Sequence, residues 1–525
     1  MLSPKHARGA TFLFVACCVP ILLLSVFFLY PRRTPPIAIS DPENKEYDAV
    51  QAKKTSTSTS TSSKPTSSPK PTAASLSTEH ATQITSPAPT STFEITYPLP
   101  EDDNTEGFLS AALGNPETRP VEADWSFDTA RDGGDYGLSD SQCDAAFPQL
   151  YTELHRAVAY THTGGNITVD DVDISWKEGG VVRAMIYNRE LYIIEAKYNE
   201  GSLDIIRAFA LLGSIHRAIT AFDGPIPNIE FTFSVEDIAN LEDPGKWPLW
   251  ALARPHDKEE QWVMPDFGFW AWDTTLVGSY EQVRQGIAQQ EPSILEKKPQ
   301  AIWRGANLAQ FNPIRQDLLD HTRDKEWADV HEVVWEKEHN EQSNQFIKIV
   351  DHCDYLFLIQ TEGISYSGRL KYLLNCHSVS VIHKREWVEN YHHLLVAEGP
   401  HQNYVQVERD FSDLSEKIET LLDDPLQVEL IANNSVATFR DRYLTPAAQA
   451  CYWRRLFWAW RSVSFEPQLF KKVEIPDPAS GTTKTKAEWR GEPYQTYVMA
   501  AVRDLAIPPQ PKKRCGWISK ALRLC

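Results

Sequence analysis

The stretch YLFLIQTEGISYSGRLKYLLNCHSVSVIH, residues 355–383, decides the fold. An apolar strand-like run leads into a loop, the loop into a short helix, and the helix into a second apolar strand. This is a parallel βαβ unit, and it predicts an α/β chain. Leu370, Leu373 and Leu374 form the buried stripe of the predicted helix, while Arg369 lies off that stripe in the first turn, just after Gly368. A cation at the positive end of a helix is disfavoured unless an anion meets it. Backbone N–H groups at a helix start favour an anion, and Arg adds a planar two-pronged donor. Ser367 is the expected N-cap, and Gly368 lets a ligand approach the backbone. The bland alternative is an Arg paired to a structural acid such as Glu362.

Outward from this unit, strands and helices continue to alternate. Upstream, AIWRG (301–305) and PIRQDLLDHT read as a strand and a helix. Downstream, a helix is expected over 412–423 with Ser412 as cap, and another around 426–442. A first α/β block precedes these. It has a helix over 147–160, two strands in 181–196 around a turn at Asn188-Arg189, and a helix over 202–219 capped by Ser202. NIEFTFSV (228–235) then alternates, with Ile229, Phe231, Phe233 and Val235 on one face and Glu230, Thr232 and Ser234 on the other. Two tandem α/β blocks suggest a cleft, because ligands bind beyond the carboxyl ends of strands in open sheets.

The ends of the chain have a different character. Residues 10–30, ATFLFVACCVPILLLSVFFLY, carry no charge and match the length of a bilayer span. They end in Tyr30-Pro31-Arg32-Arg33, without a small-residue cleavage site, so an uncleaved anchor is expected. Residues 51–92 are dominated by Ser, Thr, Pro and Ala and read as an O-glycosylated stalk. Sequons at Asn166 and Asn433 agree with a lumenal side. The expected division is a tail (1–9), an anchor (10–30), a stalk (31–135), an acceptor-side α/β domain (136–297), a donor-binding α/β domain (298–475) and a C-terminal tail (476–525). A net charge of −19 argues against nucleic-acid binding but leaves room for one phosphate ligand held by local Arg. Cys353 precedes the first strand of the opening unit and Cys376 ends its helix; the two could pair, although connectivity is not readable from sequence.

Four constellations could carry chemistry. Asp237 ends the 228–235 strand, where a carboxylate can face a cleft and act as general base; its bland role is holding a turn. Its neighbour Glu236 should point the other way, so the two do not form a glycosidase pair. Trp303-Arg304-Gly305, with Asn307 and Arg315 downstream, could reach a diphosphate, although Arg315 could equally pair with Asp317 or Asp320. Ser367, Gly368 and Arg369 with Lys371 form the anion site above. The aromatic run Trp262–Trp272, holding Pro265-Asp266-Phe267-Gly268, could stack on a sugar or fill a core. Asp171-Val172-Asp173 has the DxD form that can hold a cation, but it lies early, ahead of the first strand pair, and no metal is assigned. Trp335 stands where HExxH would need its second His.

WRGANLAQFNPIRQDLL, DHCDYLFLIQTEGISYSGRLKYLLNCHSVSVIHKREWVENYHHLL and NYVQVERDFSDL resemble the CAP10-like glycosyltransferases, family 90. IPNIEFTFSVEDIAN and WVMPDFGFWAW look like that family's upstream half, and the fungal members look most similar. The resemblance implies a GT-B-like fold, two Rossmann-type domains facing a cleft. It implies inverting transfer of a sugar, xylose or glucose, from a UDP-sugar to a hydroxyl of a glycan or glycoprotein. Asp237 matches the family's base, and Arg304 and Arg369 match the two Arg placed on the donor diphosphate. Gly305, Ser367 and Gly368 fall in the same motifs. Ile238-Ala239 stands where many members have Pro, and Thr361-Glu362-Gly363 where Asp-Gly is frequent. No resident cofactor is expected, the UDP-sugar being a substrate, and Mn²⁺ dependence is left open. The implied setting is a single-pass type II protein of the Golgi or ER, anchored through residues 10–30, with its catalytic part lumenal. The other reading is an inactive sugar-binding or scaffolding membrane protein on the same fold.

Overall fold

The computed structural model describes residues 125–239, 248–272, 276–333, 346–476 and 481–506. The anchor run 10–30 and the Ser/Thr/Pro-rich run 51–92 lie outside the described residues. Among the described residues no helix is long and apolar enough to cross a membrane.

The first sheet is built around a hairpin. β1 (Val181–Tyr187) turns into β2 (Glu190–Lys197) through Asn188 and Arg189, both at positive φ, 48° and 64°. Two consecutive left-handed residues match the strands' right-handed twist. β3 (Ile229–Ser234) pairs antiparallel with β1. The short β4 (Leu249–Ala251) and β6 (Gln261–Val263) continue parallel to β3, with β5 (Arg254–Pro255) between them in the chain. β3 is buried on both faces, against the expectation of a polar outer face. Thr232 donates to the Val172 carbonyl and Ser234 to that of Gly180, so the loop before β1 covers that side. Glu230, fully buried, takes Arg183 at 2.6 Å and Arg490 at 2.7 Å. Its charge is compensated by two guanidiniums, which is how a buried carboxylate is tolerated.

The second sheet holds the opening βαβ unit. β7 (Lys298–Gly305), β8 (Ala328–Glu332), β9 (Tyr355–Gln360), β10 (Val379–His383) and β12 (Val405–Val407) run all parallel in the order β12-β10-β9-β7-β8. β9 and β10 are almost continuously buried, as expected of parallel strands covered on both faces. The small β11 (Trp387–Val388) pairs back to β5, joining the two sheet regions through backbone hydrogen bonds.

Helices place the cores. α1 (Thr152–Gly164), α2 (Asp204–Thr220) and the late α8 (Pro446–Ser462) pack over the first sheet, although α8 follows the second sheet in the chain. Trp125 and Phe127 also pack against this core. α3 (Tyr280–Gln290) starts at Ser279, whose side chain accepts from the Gln282 N–H. α4 (Ile314–Thr322) and α6 (Leu414–Leu422) cover the second sheet, with α7 (Pro425–Thr438) after them. α7 runs into a wider turn, Phe439–Tyr443, just before α8. Ser202 and Ser412 do not cap their helices, which begin two residues later than expected. Two disulfides are present, Cys353–Cys376 within the βαβ unit and Cys143–Cys451, which ties the helix Asp140–Ala146 to α8.

Candidate active site

The carboxyl ends of β7 and β9 bring three groups together. Trp303 is fully buried near the end of β7, and its indole donates to Thr361 Oγ1 at 3.1 Å, just past β9. The Arg315 guanidinium, reaching back from the first turn of α4, lies 5.8 Å from the centre of that ring. The Arg369 guanidinium lies 5.7 Å from the same centre. Side chains alternate along a strand, so Gly305 shares the Trp303 face. A Cβ there would come within 3.2 Å of Arg369 Nη2 and 2.8 Å of the indole. Likewise a Cβ on Gly363 would meet Arg315 Nη2 at 2.9 Å. The two glycines leave room for two guanidiniums over one indole.

Neither cation is neutralised. Arg315 donates to the carbonyls of Glu362 and Ala306, at 3.1 and 2.8 Å, and not to Asp317 or Asp320. Among the described residues the Arg369 guanidinium makes no hydrogen bond or ion pair. Glu362 is not its partner: that carboxylate takes Arg409 at 2.7 Å and the N–H groups of Glu386 and Trp387. Burial lowers Arg369 to about 10. Burial, together with the charge of Arg369, lowers Arg315 to about 9, partly offset by Asp237. Both therefore stay protonated at neutral pH, and the two like charges have no paired acid among the described residues.

Asp237 lies within electrostatic reach of this pair, since its charge acts on Arg315 and on the buried Tyr366. Its Oδ1 accepts from Arg207 Nη1 at 3.1 Å, and its side chain stays 36% exposed, so one face of the carboxylate remains open. Arg207 comes from the first turn of α2, also donates to the Val235 carbonyl, and lies 5.0 Å over the Phe267 ring. Glu236 points elsewhere, to Lys177 and Asn199, as alternation required.

The aromatic run supplies the tie between the halves. Asp266, 3% exposed, binds Lys371 Nζ at 2.7 Å in a fully buried pair. Burial raises Asp266, and Lys371 offsets part of that. A Cβ on Gly368 would meet Asp266 Oδ2 at 2.8 Å and Lys371 Nζ at 3.1 Å, so Gly368 serves this close approach.

Other expected residues are placed differently. Arg304 lies on the opposite face of β7 from Trp303 and binds Asp329 at 2.6 Å, with Tyr355 donating to the same carboxylate. Ser367 is not the helix cap. The helix α5 (Leu370–Leu373) is a single turn whose N-cap is Arg369 itself. The Ser367 carbonyl instead accepts from Gln360 Nε2 at 3.0 Å. One turn has little dipole, so the Arg369 charge carries the anion argument. Asp171 accepts from Thr168, and Asp173 from Ser175, in an exposed loop. Among the described residues the one grouping of possible metal ligands is Glu291, Cys353 and Cys376, whose sulfurs are joined as a disulfide. Sequence reasoning passed over Arg207 and Lys371's partner Asp266, because both partnerships link residues far apart in the chain.

A family sequence model, "Glycosyl transferase family 90", matches residues 139–505. The chain belongs to glycosyl transferase family 90. Among curated family 90 relatives, protein O-glucosyltransferase 1 of Rattus norvegicus is 24% identical over 215 residues, 41% of this chain and 49% of that protein. Protein O-glucosyltransferase 1 of Homo sapiens is 22% identical over 258 residues, 44% of this chain and 62% of the relative. The O-glucosyltransferase rumi homolog of Aedes aegypti is 24% identical over 259 residues, with the same two shares. The chain thus spans about half to three fifths of the length of these three relatives.

Proposed function

We propose that this chain transfers a sugar, glucose or xylose, from a UDP-sugar to a hydroxyl of a glycan or glycoprotein, with inversion at the anomeric carbon. The observation that carries the reading is the unneutralised pair Arg315 and Arg369 over Trp303, at the carboxyl ends of β7 and β9. Two guanidiniums match a diphosphate in charge and in donor geometry. Asp237, with one oxygen held by Arg207 and one face open, takes the proton of the acceptor hydroxyl. That oxygen attacks the anomeric carbon as the bond to the UDP oxygen breaks, and the leaving diphosphate takes up the electron pair. Arg315 and Arg369 stabilise the charge developing there. Arg304 would serve the donor only by releasing Asp329, so it is assigned to holding the end of β7. Gly305 and Gly368 act through the space they leave.

In this reading the two sheets belong to the two halves of a GT-B-like enzyme; the second is all parallel, as in a Rossmann-type domain, whereas the first is mixed, with antiparallel β1, β2 and β3. The two disulfides fit an oxidising compartment, and the charge-free run 10–30 fits a type II anchor of the Golgi or ER. The test is a UDP-sugar hydrolysis and transfer screen (UDP-glucose, UDP-xylose, UDP-galactose), with and without Mn²⁺, on the wild type and Asp237→Asn. Release of UDP by the wild type alone supports the reading. Binding of UDP with no turnover of any donor by either protein would favour the inactive sugar-binding alternative.

A further inference from the structure

A cavity of about 310 Å³ lies between α2, α3, α8 and the aromatic run, and none of the proposed transfer residues lines it. The Arg217 guanidinium stands 4.0 Å from the Trp270 ring and 4.7 Å from that of Tyr136, and donates to the Tyr136 hydroxyl at 2.7 Å. Among the described residues Arg217 has no carboxylate partner, so its remaining N–H groups are available. Gln449, only 6% exposed, also lines the cavity, and its Nε2 donates to the Tyr443 carbonyl. Glu281 lines the cavity as an acceptor, and Ser214 adds a hydroxyl.

Donors and acceptors in one cavity, between aromatic faces, suit one ligand class. An anion would satisfy Arg217 but face Glu281. A purely apolar ligand would leave the free N–H groups of Arg217 unpaired. Vicinal hydroxyls donate and accept at once, and the C–H faces of a pyranose pack on aromatic rings. The volume falls at the lower end of small-molecule sites, enough for one or two sugar units. We propose that this cavity is a second saccharide site, which binds an uncharged pyranose apart from the donor.

The site is also placed to act together with the first. Arg207 and Arg217 are ten residues apart on α2, so Asp237 and the cavity are separated by about 15 Å along the helix axis. The run that carries Trp270 also carries Phe267, which underlies Arg207, and Asp266, which binds Lys371. A glycan seated against Trp270 thus touches the same segment that positions the transfer site.

The test is saturation-transfer NMR on the full chain with cellobiose, xylobiose and mannobiose, at saturating UDP so that the donor site is occupied. Glucuronic acid and p-cresol serve as anionic and apolar controls. At least one disaccharide should show transfer that persists with UDP, and Arg217→Met and Trp270→Ala should each weaken it at least tenfold. The UDP-induced rise in Tm, retained in both variants, shows that they fold and reports the donor site separately. The proposal is overturned if UDP abolishes every disaccharide signal, if Arg217→Met binds as the wild type does, or if only a control ligand binds.

Discussion

Arg315 and Arg369 approach one indole, Trp303, to 5.8 and 5.7 Å, and neither has an acid to pair with among the described residues. Buried like charges oppose folding, and an arrangement of this kind is retained when a ligand supplies the missing charge. Arg369→Met should therefore raise the Tm of the ligand-free protein, by about 2–4 °C for about 1 kcal/mol in a chain of this class. The same change should weaken UDP by about 10- to 100-fold, the worth of one or two charge-assisted hydrogen bonds. Calorimetry and thermal melts with and without UDP measure both. A lower Tm with unchanged UDP affinity would mean that Arg369 is structural.

Gly363→Ala tests the same pair without removing a charge. Its Cβ would meet Arg315 Nη2 at 2.9 Å, the movable end of a flexible side chain. The fold should tolerate this, because the guanidinium can swing away. UDP affinity should fall about tenfold, with no more than about 1 kcal/mol lost in stability, the ordinary range for a tolerated substitution. Unchanged affinity would show that the present position of Arg315 is not needed for binding.

Asp237→Asn should cut transfer by about 10²- to 10⁴-fold, the usual range for a general base, with UDP binding retained. Arg207→Met should lower kcat as well, since it frees the carboxylate from its 3.1 Å contact. A kcat identical to that of the wild type would separate Arg207 from the base.

Glu389 makes a pH prediction about stability. Burial raises its carboxyl from 4.5 to about 7, with Lys371, Tyr391 and Arg385 opposing. Between those values the folded chain holds the proton that the unfolded chain has lost. Its contribution is full below 4.5 and is lost as pH rises through about 7, a span of about 3 kcal/mol. Buried histidines act in the opposite sense: burial lowers His155 and His352 to about 4, so acid favours the unfolded chain. The difference between wild type and Glu389→Gln isolates the carboxyl. Urea melts from pH 4.5 to 7.5 should show the variant gaining on the wild type as pH rises, and parallel curves would contradict the assignment.

How much was legible depends on the range of the interaction. The apolar, strand-like runs at 181–196 and 355–383 are local patterns, and the strands appear there, including the turn at Asn188-Arg189. Arg369 was legible as a charge without a local reason, off the apolar stripe of its own helix. Arg315 was visible, but its partner was sought at Asp317 and Asp320, a turn away. The chain instead directs it to two carbonyls at the ends of β7 and β9. Arg304 and Arg369 look alike as motif residues. Strand alternation sends Arg304 to Asp329 on the far face of β7.

The sequence by itself determined the alternating strands and helices, the αβ class and the positions of the cationic motif residues, because hydrophobic period and backbone preference act within a few residues. Tertiary structure alone decided which cations remain unpaired, since that depends on which acids the fold brings near. It also decided that α8 returns to the first sheet, and that Asp266 and Lys371, 105 residues apart, meet at 2.7 Å. Burial is a property of the packed chain, and it turns the same Arg side chain into either a closed ion pair or an open anion site.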